Sequence, residues 1–241
     1  MVRCISIYYY LFVFIRIYSY LLYIIISVVL IYNTGNHMLL IVTREAPNHA
    51  NKLRELYQTL RRREIPYIVT RRCDTAIIKR ADICGLIIPG ARFRVKSHTP
   101  QPELTLELYY LFHFPKTPVL GICHGCQVLM LYYGGSLQPY NTLWTGEHSV
   151  DLSTHRIFDG HAPKETAYFY FHELPVSPSS SSNVREIAWI TKFRDGRRRA
   201  CAFEFVKNRV YGVMFHPEGL ASTRDILYNF YDKISSASAS T

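Results

Sequence analysis

Short apolar runs alternate with amphipathic stretches along most of the chain and predict its secondary structure. Apolar runs bounded by turn residues predict strands at residues 38–43, 66–70, 83–88, 118–122 and 210–215. Apolar residues at helical spacing predict helices at 50–63, 103–114 and 126–133. Strands that alternate with helices pair in parallel and are covered on both faces. The pattern therefore predicts an α/β fold, a three-layer open and mostly parallel sheet.

The stretch between the last predicted helix of that series and residue 210 has a different pattern. Residues 147–152 and 167–171 alternate apolar and polar positions, which predicts half-buried strands. A hairpin is predicted over 186–207, with its turn at Asp195-Gly196. A capping-box pattern at residues 222–225 predicts a last helix that ends near residue 234. This part of the sheet is expected to be more antiparallel.

Residues 1–37 differ in kind from the rest of the chain. Positions 4–32 are almost wholly apolar or aromatic, and Arg16 is their only charge. This leader is long enough for a membrane anchor if Arg16 is tolerated. It is equally consistent with a non-native upstream extension, with Met38 as the true start. We expect a folded domain at 38–234 and a disordered tail at 235–241.

Composition and charge narrow the classes of function. Hydrophobic residues make up 49% of the 241 residues, enough for a packed core, and the net charge is +10. The basic residues are scattered and no nucleic-acid-binding motif accompanies them, so nucleic acid is not expected as a partner. Six unevenly spaced cysteines do not form a disulfide framework. We therefore expect a reducing, cytoplasmic compartment, with membrane attachment only if residues 1–37 are retained.

The strand predicted at 118–122 leads into a motif that carries chemistry. Gly121 and Gly125 flank Cys123 as G-x-C-x-G, the cysteine form of a nucleophile elbow. A thiol at such a turn lies at the positive end of a helix dipole, which favours the reactive thiolate. A buried core cysteine and a Cys123–Cys126 redox pair are the alternatives. A metal site is disfavoured because no second ligand set at metal spacing accompanies the motif.

A histidine follows the strand predicted at 210–215. His216 stands at the carboxyl end of that strand, and Glu218 lies two residues further on. In open α/β sheets the sites lie at the carboxyl ends of the strands, so Cys123 and His216 are expected at one edge. A catalytic cysteine needs a histidine base, and a carboxylate on the far imidazole nitrogen orients that base.

The motifs G-I-C-H-G-C-Q and G-V-M-F-H-P-E together resemble those of the class I glutamine amidotransferases. The resemblance implies a flavodoxin-like sheet with a nucleophile elbow. It implies that Cys123 is the nucleophile, His216 the base and Glu218 the third member of the triad. It also places the family's glutamine-contacting residue on Gln127.

Further binding residues follow from the same resemblance. Pro89-Gly90-Ala91 occupies the place of the family's oxyanion strand, so the N–H groups of Gly90 and His124 are expected to hold the oxyanion. Ala91 departs from the commoner second glycine. His172 follows a predicted strand where the family often has a histidine near the amino-acid end of glutamine.

The resemblance implies an enzyme that hydrolyses the γ-amide of glutamine to glutamate and ammonia through a thioester on Cys123. No metal or organic cofactor is expected. A synthase subunit that accepts the ammonia is the expected partner. A stand-alone hydrolase of γ-glutamyl peptides or conjugates is one alternative, and an idle regulatory or scaffold relative is another.

Overall fold

The computed structural model describes residues 37–45, 51–95, 104–178, 184–207 and 209–238. The two hypotheses for the leader, anchor or upstream extension, concern residues that lie almost entirely outside these ranges. Within them, no helix combines the length and the apolar character needed to cross a bilayer.

The first part of the chain forms the predicted alternation of strands and helices. In chain order the elements are β1 Met38–Val42, α1 Asn51–Arg62, β2 Tyr67–Thr70, β3 Ile83–Ile88, α2 Thr105–His113, β4 Val119–Ile122 and α3 His124–Tyr132. The four strands pair in parallel in the order β2-β1-β3-β4. The residues of β4 are all buried, as expected for a strand covered on both faces.

The second part is largely antiparallel. It contains β5 Ser136–Leu152, β6 Lys164–Val176, β7 Arg185–Ile190, β8 Arg199–Val206, β9 Val210–Val213 and α4 Asp225–Ser238. β9 pairs in parallel with β4, and the sheet of nine strands continues in the order β9-β8-β7-β5-β6. β5 and β6 are much longer than predicted, and α4 continues past the predicted end at residue 234. The predicted hairpin is present as β7 and β8.

The edge strand β6 contacts the chain just after β9, next to the parallel half of the sheet. Phe169 of β6 forms a β-bridge with Phe215, and the N–H of His216 donates to the carbonyl of Tyr168 at 2.8 Å. The mixed sheet is therefore curled, and β6 lies beside the segment that follows β9. The α/β fold class predicted from the sequence is confirmed.

Candidate active site

The elbow at Cys123 has the strained backbone that its motif predicts. Cys123 joins β4 directly to α3 with φ 50° and ψ −101°. In the described chain, Glu64 is the other non-glycine residue with a positive φ. A residue held in this region costs about 1–3 kcal/mol and persists only where its surroundings fix it. The side chain of Cys123 is thereby presented at a sharp strand-to-helix turn.

Both motif glycines allow a close approach that a side chain would prevent. A Cβ atom on Gly121 would lie 2.6 Å from the carbonyl carbon of Gly125. A Cβ atom on Gly125 would lie 1.9 Å from the carbonyl oxygen of Ile88, at the end of β3. The first turn of α3 therefore packs directly on the backbone of β3 and β4.

His216 and Glu218 meet just after β9. Pro217 begins a 3₁₀ turn, and His216 Nδ1 lies 2.8 Å from Glu218 Oε1. Both side chains are almost completely buried. Because Nδ1 is hydrogen-bonded to the carboxylate, Nε2 is the ring nitrogen that can interact with another group.

The pairing of β4 with β9 brings Cys123 to His216. Ile122 is the register partner of Val213, and the N–H of Cys123 donates to the Val213 carbonyl at 2.7 Å. Burial by itself would lower the pKa of His216, but the charges of Glu218 and Cys123, with hydrogen bonds to both side chains, raise it to about 9. His216 therefore interacts with both Cys123 and Glu218, and it lies between the two in this chain of interactions.

Tyr170 of β6 also reaches the sulfur, a contact that the motifs do not predict. The Cys123 thiol donates to the Tyr170 carbonyl at 3.3 Å. Tyr168, Tyr170 and His172 alternate with buried residues along β6, so they share the strand face opposite the core. The alternation of polar and apolar residues in the sequence predicts that these three residues share a face. It does not predict which element packs against that face.

The predicted binding residues occupy different positions relative to Cys123. Gly90 lies against the base, since a Cβ atom there would be 2.6 Å from His216 Cε1. His124 begins α3, and its buried side chain contacts Glu107 at 3.2 Å. The backbone N–H of His124 is thus at the elbow, while its ring points away into the protein interior.

The other two predicted binding residues are associated with β6: Gln127 is hydrogen-bonded to it, and His172 is part of it. The side-chain amide of Gln127 donates to the Glu173 carbonyl at 2.8 Å, so it fastens α3 to β6. His172 Nδ1 is buried and has no hydrogen-bond partner among the described residues. Beside it, the guanidinium of Arg94 is paired with the Glu173 carboxylate.

Cys126, the other half of the C-x-x-C pattern, packs against β9. Its side chain is completely buried. A Cβ atom on Gly212 would lie only 2.7 Å from the Cys126 sulfur, so the sulfur packs closely against the glycine. Burial raises the pKa of its thiol well above the usual range. The cysteines of the described ranges are free thiols, and no group of three side chains within those ranges is arranged as metal ligands.

Comparisons with known proteins agree with the fold. The model of the glutamine amidotransferase class-I family matches residues 48–234. The glutamine-hydrolysing GMP synthase of Macrococcus caseolyticus is 27% identical over 162 residues, which cover 65% of this chain and 29% of that protein. The corresponding enzyme of Borreliella burgdorferi is 28% identical over 169 residues, covering 66% of this chain and 30% of that protein. The chain thus spans less than a third of the length of these relatives.

Solved structures show the same architecture at low sequence identity. A Thermoplasma acidophilum protein, described as one subunit of a GMP synthase, superposes with a TM-score of 0.65 at 19% identity, covering 84% of this chain and 96% of that one. The PurLQS structure from Thermotoga maritima gives a TM-score of 0.62 at 15% identity, covering 81% and 97%. At these identities the likeness supports the fold alone.

Proposed function

This chain belongs to the class-I glutamine amidotransferase family, and from that premise we propose that it hydrolyses the γ-amide of glutamine to glutamate and ammonia through a thioester on Cys123. The contact of Cys123 with a buried His216–Glu218 pair is the observation that supports this most directly. The reaction needs a reduced Cys123, which favours a reducing compartment.

Acylation begins with transfer of the thiol proton from Cys123 to Nε2 of His216. The carboxylate of Glu218 stabilises the imidazolium, whose pKa of about 9 retains the proton at neutral pH. The sulfur then attacks the γ-carbonyl carbon of glutamine. The N–H groups of Gly90 and His124 are the proposed donors to the oxyanion, because they lie on the two segments that flank the elbow.

The tetrahedral intermediate collapses when His216 gives its proton to the leaving amine. Ammonia departs and the γ-glutamyl group stays on Cys123 as a thioester. His216 then takes a proton from water, which attacks the thioester and releases glutamate. The same imidazole serves as base, then acid, then base, and therefore has to keep contact with both sulfur and substrate.

The catalytic unit is proposed to be residues 38–234, with the other parts of the site supplied by β3 and β6. His172 is the proposed contact to the amino-acid end of glutamine, through Nδ1, which has no hydrogen-bond partner within the described ranges. Gln127 is proposed to support substrate binding by holding β6 in place. The relatives named above are glutamine-hydrolysing GMP synthases. We accordingly propose that a synthase component receives the ammonia.

The test is release of glutamate and ammonia by the full chain incubated with glutamine. Cys123→Ser should abolish release, whereas Cys73→Ser, which changes an exposed thiol, should leave it unchanged. Release from γ-glutamyl peptides but not from glutamine would replace the proposal with the stand-alone hydrolase. Absence of release from either substrate, with Cys123→Ser behaving like the wild type, would favour the idle relative.

A further inference from the structure

A buried ionic cluster lies directly behind the nucleophile elbow. The carboxylate of Glu107 on α2 accepts hydrogen bonds from Arg44 at 2.6 and 2.5 Å. The same carboxylate also contacts His124 Nε2, at 3.2 Å. Glu107 and His124 are 1% and 2% exposed, so the cluster is shielded from solvent on its inner side. Arg44 follows β1, and three separate parts of the chain therefore meet at one carboxylate.

The carboxylate of Glu107 is held in its charged form. Burial by itself would raise the pKa of Glu107, but the hydrogen bonds from His124 and Arg44 lower it below its usual value. A bidentate arginine also fixes the plane of the carboxylate. Since Nε2 of His124 donates to Glu107, the ring orientation of His124 is set as well.

Phe93 extends this cluster to the second segment of the proposed oxyanion hole. The Arg44 guanidinium lies over the Phe93 ring at 5.6 Å from its centroid, and Phe93 packs edge-on against the His124 ring at 6.1 Å. Phe93 stands three residues after Gly90. The cluster thus contacts His124, which carries one proposed N–H donor, and the segment three residues after Gly90, which carries the other.

We infer that Glu107 is a positioning residue for the reaction, which holds the His124 ring and thereby fixes the His124 N–H beside the nucleophile. This inference rests on the proposed function. Cys123 occupies a strained backbone conformation, which its neighbours have to enforce. An anchor on the very next side chain restricts the rotation of the peptide between Cys123 and His124. Donors preset toward the developing oxyanion stabilise the transition state more than the bound substrate.

A second buried cluster provides a matched control. Glu204 on β8 is 4% exposed, contacts His155 Nε2 at 3.2 Å and pairs with Arg185 at 2.7 Å. The kinds of side chain and the distance to the histidine are the same as for Glu107. Neither His155 nor Arg185 takes part in the proposed reaction. Glu204→Gln therefore reproduces the loss of a buried, paired carboxylate without touching the elbow.

The experiment compares Glu107→Gln and Glu204→Gln in the full chain. Thermal unfolding is measured first. Kinetics with glutamine are then measured at a temperature at which both variants are folded. Glu107→Gln should lower kcat by roughly tenfold to a hundredfold with KM changed by less than about threefold, because a small misplacement of reacting groups costs this much. Glu204→Gln should keep the wild-type kcat. Equal kcat in the two variants would overturn the inference.

Two further measurements keep the test decisive. If Glu107→Gln does not fold, Arg44→Lys retains the charge but loses the bidentate geometry, and it should give a smaller fall in kcat at unchanged KM. An unchanged kcat in Arg44→Lys would then count against the inference.

If the wild type releases no glutamate, the proposed function fails, and the rate of Cys123 alkylation by iodoacetamide becomes the readout. A change of that rate in Glu107→Gln but not in Glu204→Gln supports the positioning role, and equal rates contradict it.

Discussion

His216 Nδ1 lies 2.8 Å from Glu218 Oε1, in a buried turn that begins one residue after the histidine. Two residues of separation suffice because Pro217 begins a 3₁₀ turn, which folds the glutamate back onto the imidazole. The carboxylate has one oxygen, Oε2, that is buried without a hydrogen-bond partner among the described residues. Its charge is therefore directed largely at His216.

This contact predicts the pH dependence of the proposed reaction. The leaving amine needs the proton of His216, whose pKa is raised to about 9, so kcat/KM should fall as the pH rises through about 9. Glu218→Gln removes one of the charges that raise this pKa. The alkaline limb of the plot of kcat/KM against pH should therefore move to lower pH. Glu147→Gln, on the exposed part of β5, is the control and should leave the limb in place. An identical limb in wild type and Glu218→Gln would contradict the assignment.

Gly90 provides a steric test of the geometry at the base. In Gly90→Ala the new Cβ would lie 2.6 Å from His216 Cε1, so the imidazole has to move. Displacement of a catalytic group by about 1 Å is expected to lower kcat about a hundredfold. In Gly219→Ala the nearest atom is 3.5 Å away, an ordinary contact, and kcat should stay within about twofold of the wild type. Steady-state kinetics of the two variants would decide, and equal effects would show that His216 is not confined in this way.

Gln127 predicts a coupled loss of stability and substrate affinity. Gln127→Met conserves volume but leaves the Glu173 carbonyl without its 2.8 Å hydrogen bond, which is expected to cost about 1–3 kcal/mol of unfolding free energy. Because β6 is released from α3, KM for glutamine should also rise. Gln138→Met, at an exposed position of β5, should change the unfolding free energy by less than about 0.5 kcal/mol. Denaturant unfolding and KM measurements test both parts, and a stable Gln127→Met variant with normal KM would refute them.

The sequence was sufficient to predict the parts of the site that depend on local pattern. The G-x-C-x-G motif indicates a turn that Gly121 and Gly125 make sterically feasible. The apolar run before His216 predicts a strand, and the parallel topology then requires the carboxyl ends of β4 and β9 to share an edge. The expectation that Cys123 and His216 lie at one edge follows from these two steps without any knowledge of side-chain packing.

Contacts that depend on distant pairings were not predictable in the same way. β5 was predicted only over 147–152, because residues 136–146 lack the alternation of a half-buried strand; much of that segment is exposed and interrupted by a register shift. The Arg44–Glu107 pair joins residues far apart in the chain and leaves no periodic signal. The contact of Tyr170 with Cys123 was missed for a different reason: it is made by a backbone carbonyl, which no pattern of side chains indicates.

The central claim is that Cys123 attacks the γ-carbon of a glutamine side chain with His216 as its base. The most direct measurement is mass spectrometry of the full chain after reaction with a γ-diazoketone analogue of glutamine. We expect a single adduct on Cys123, blocked by excess glutamine and formed much more slowly in His216→Gln. Labelling of another cysteine, or labelling of Cys123 at the same rate in His216→Gln, would contradict the account.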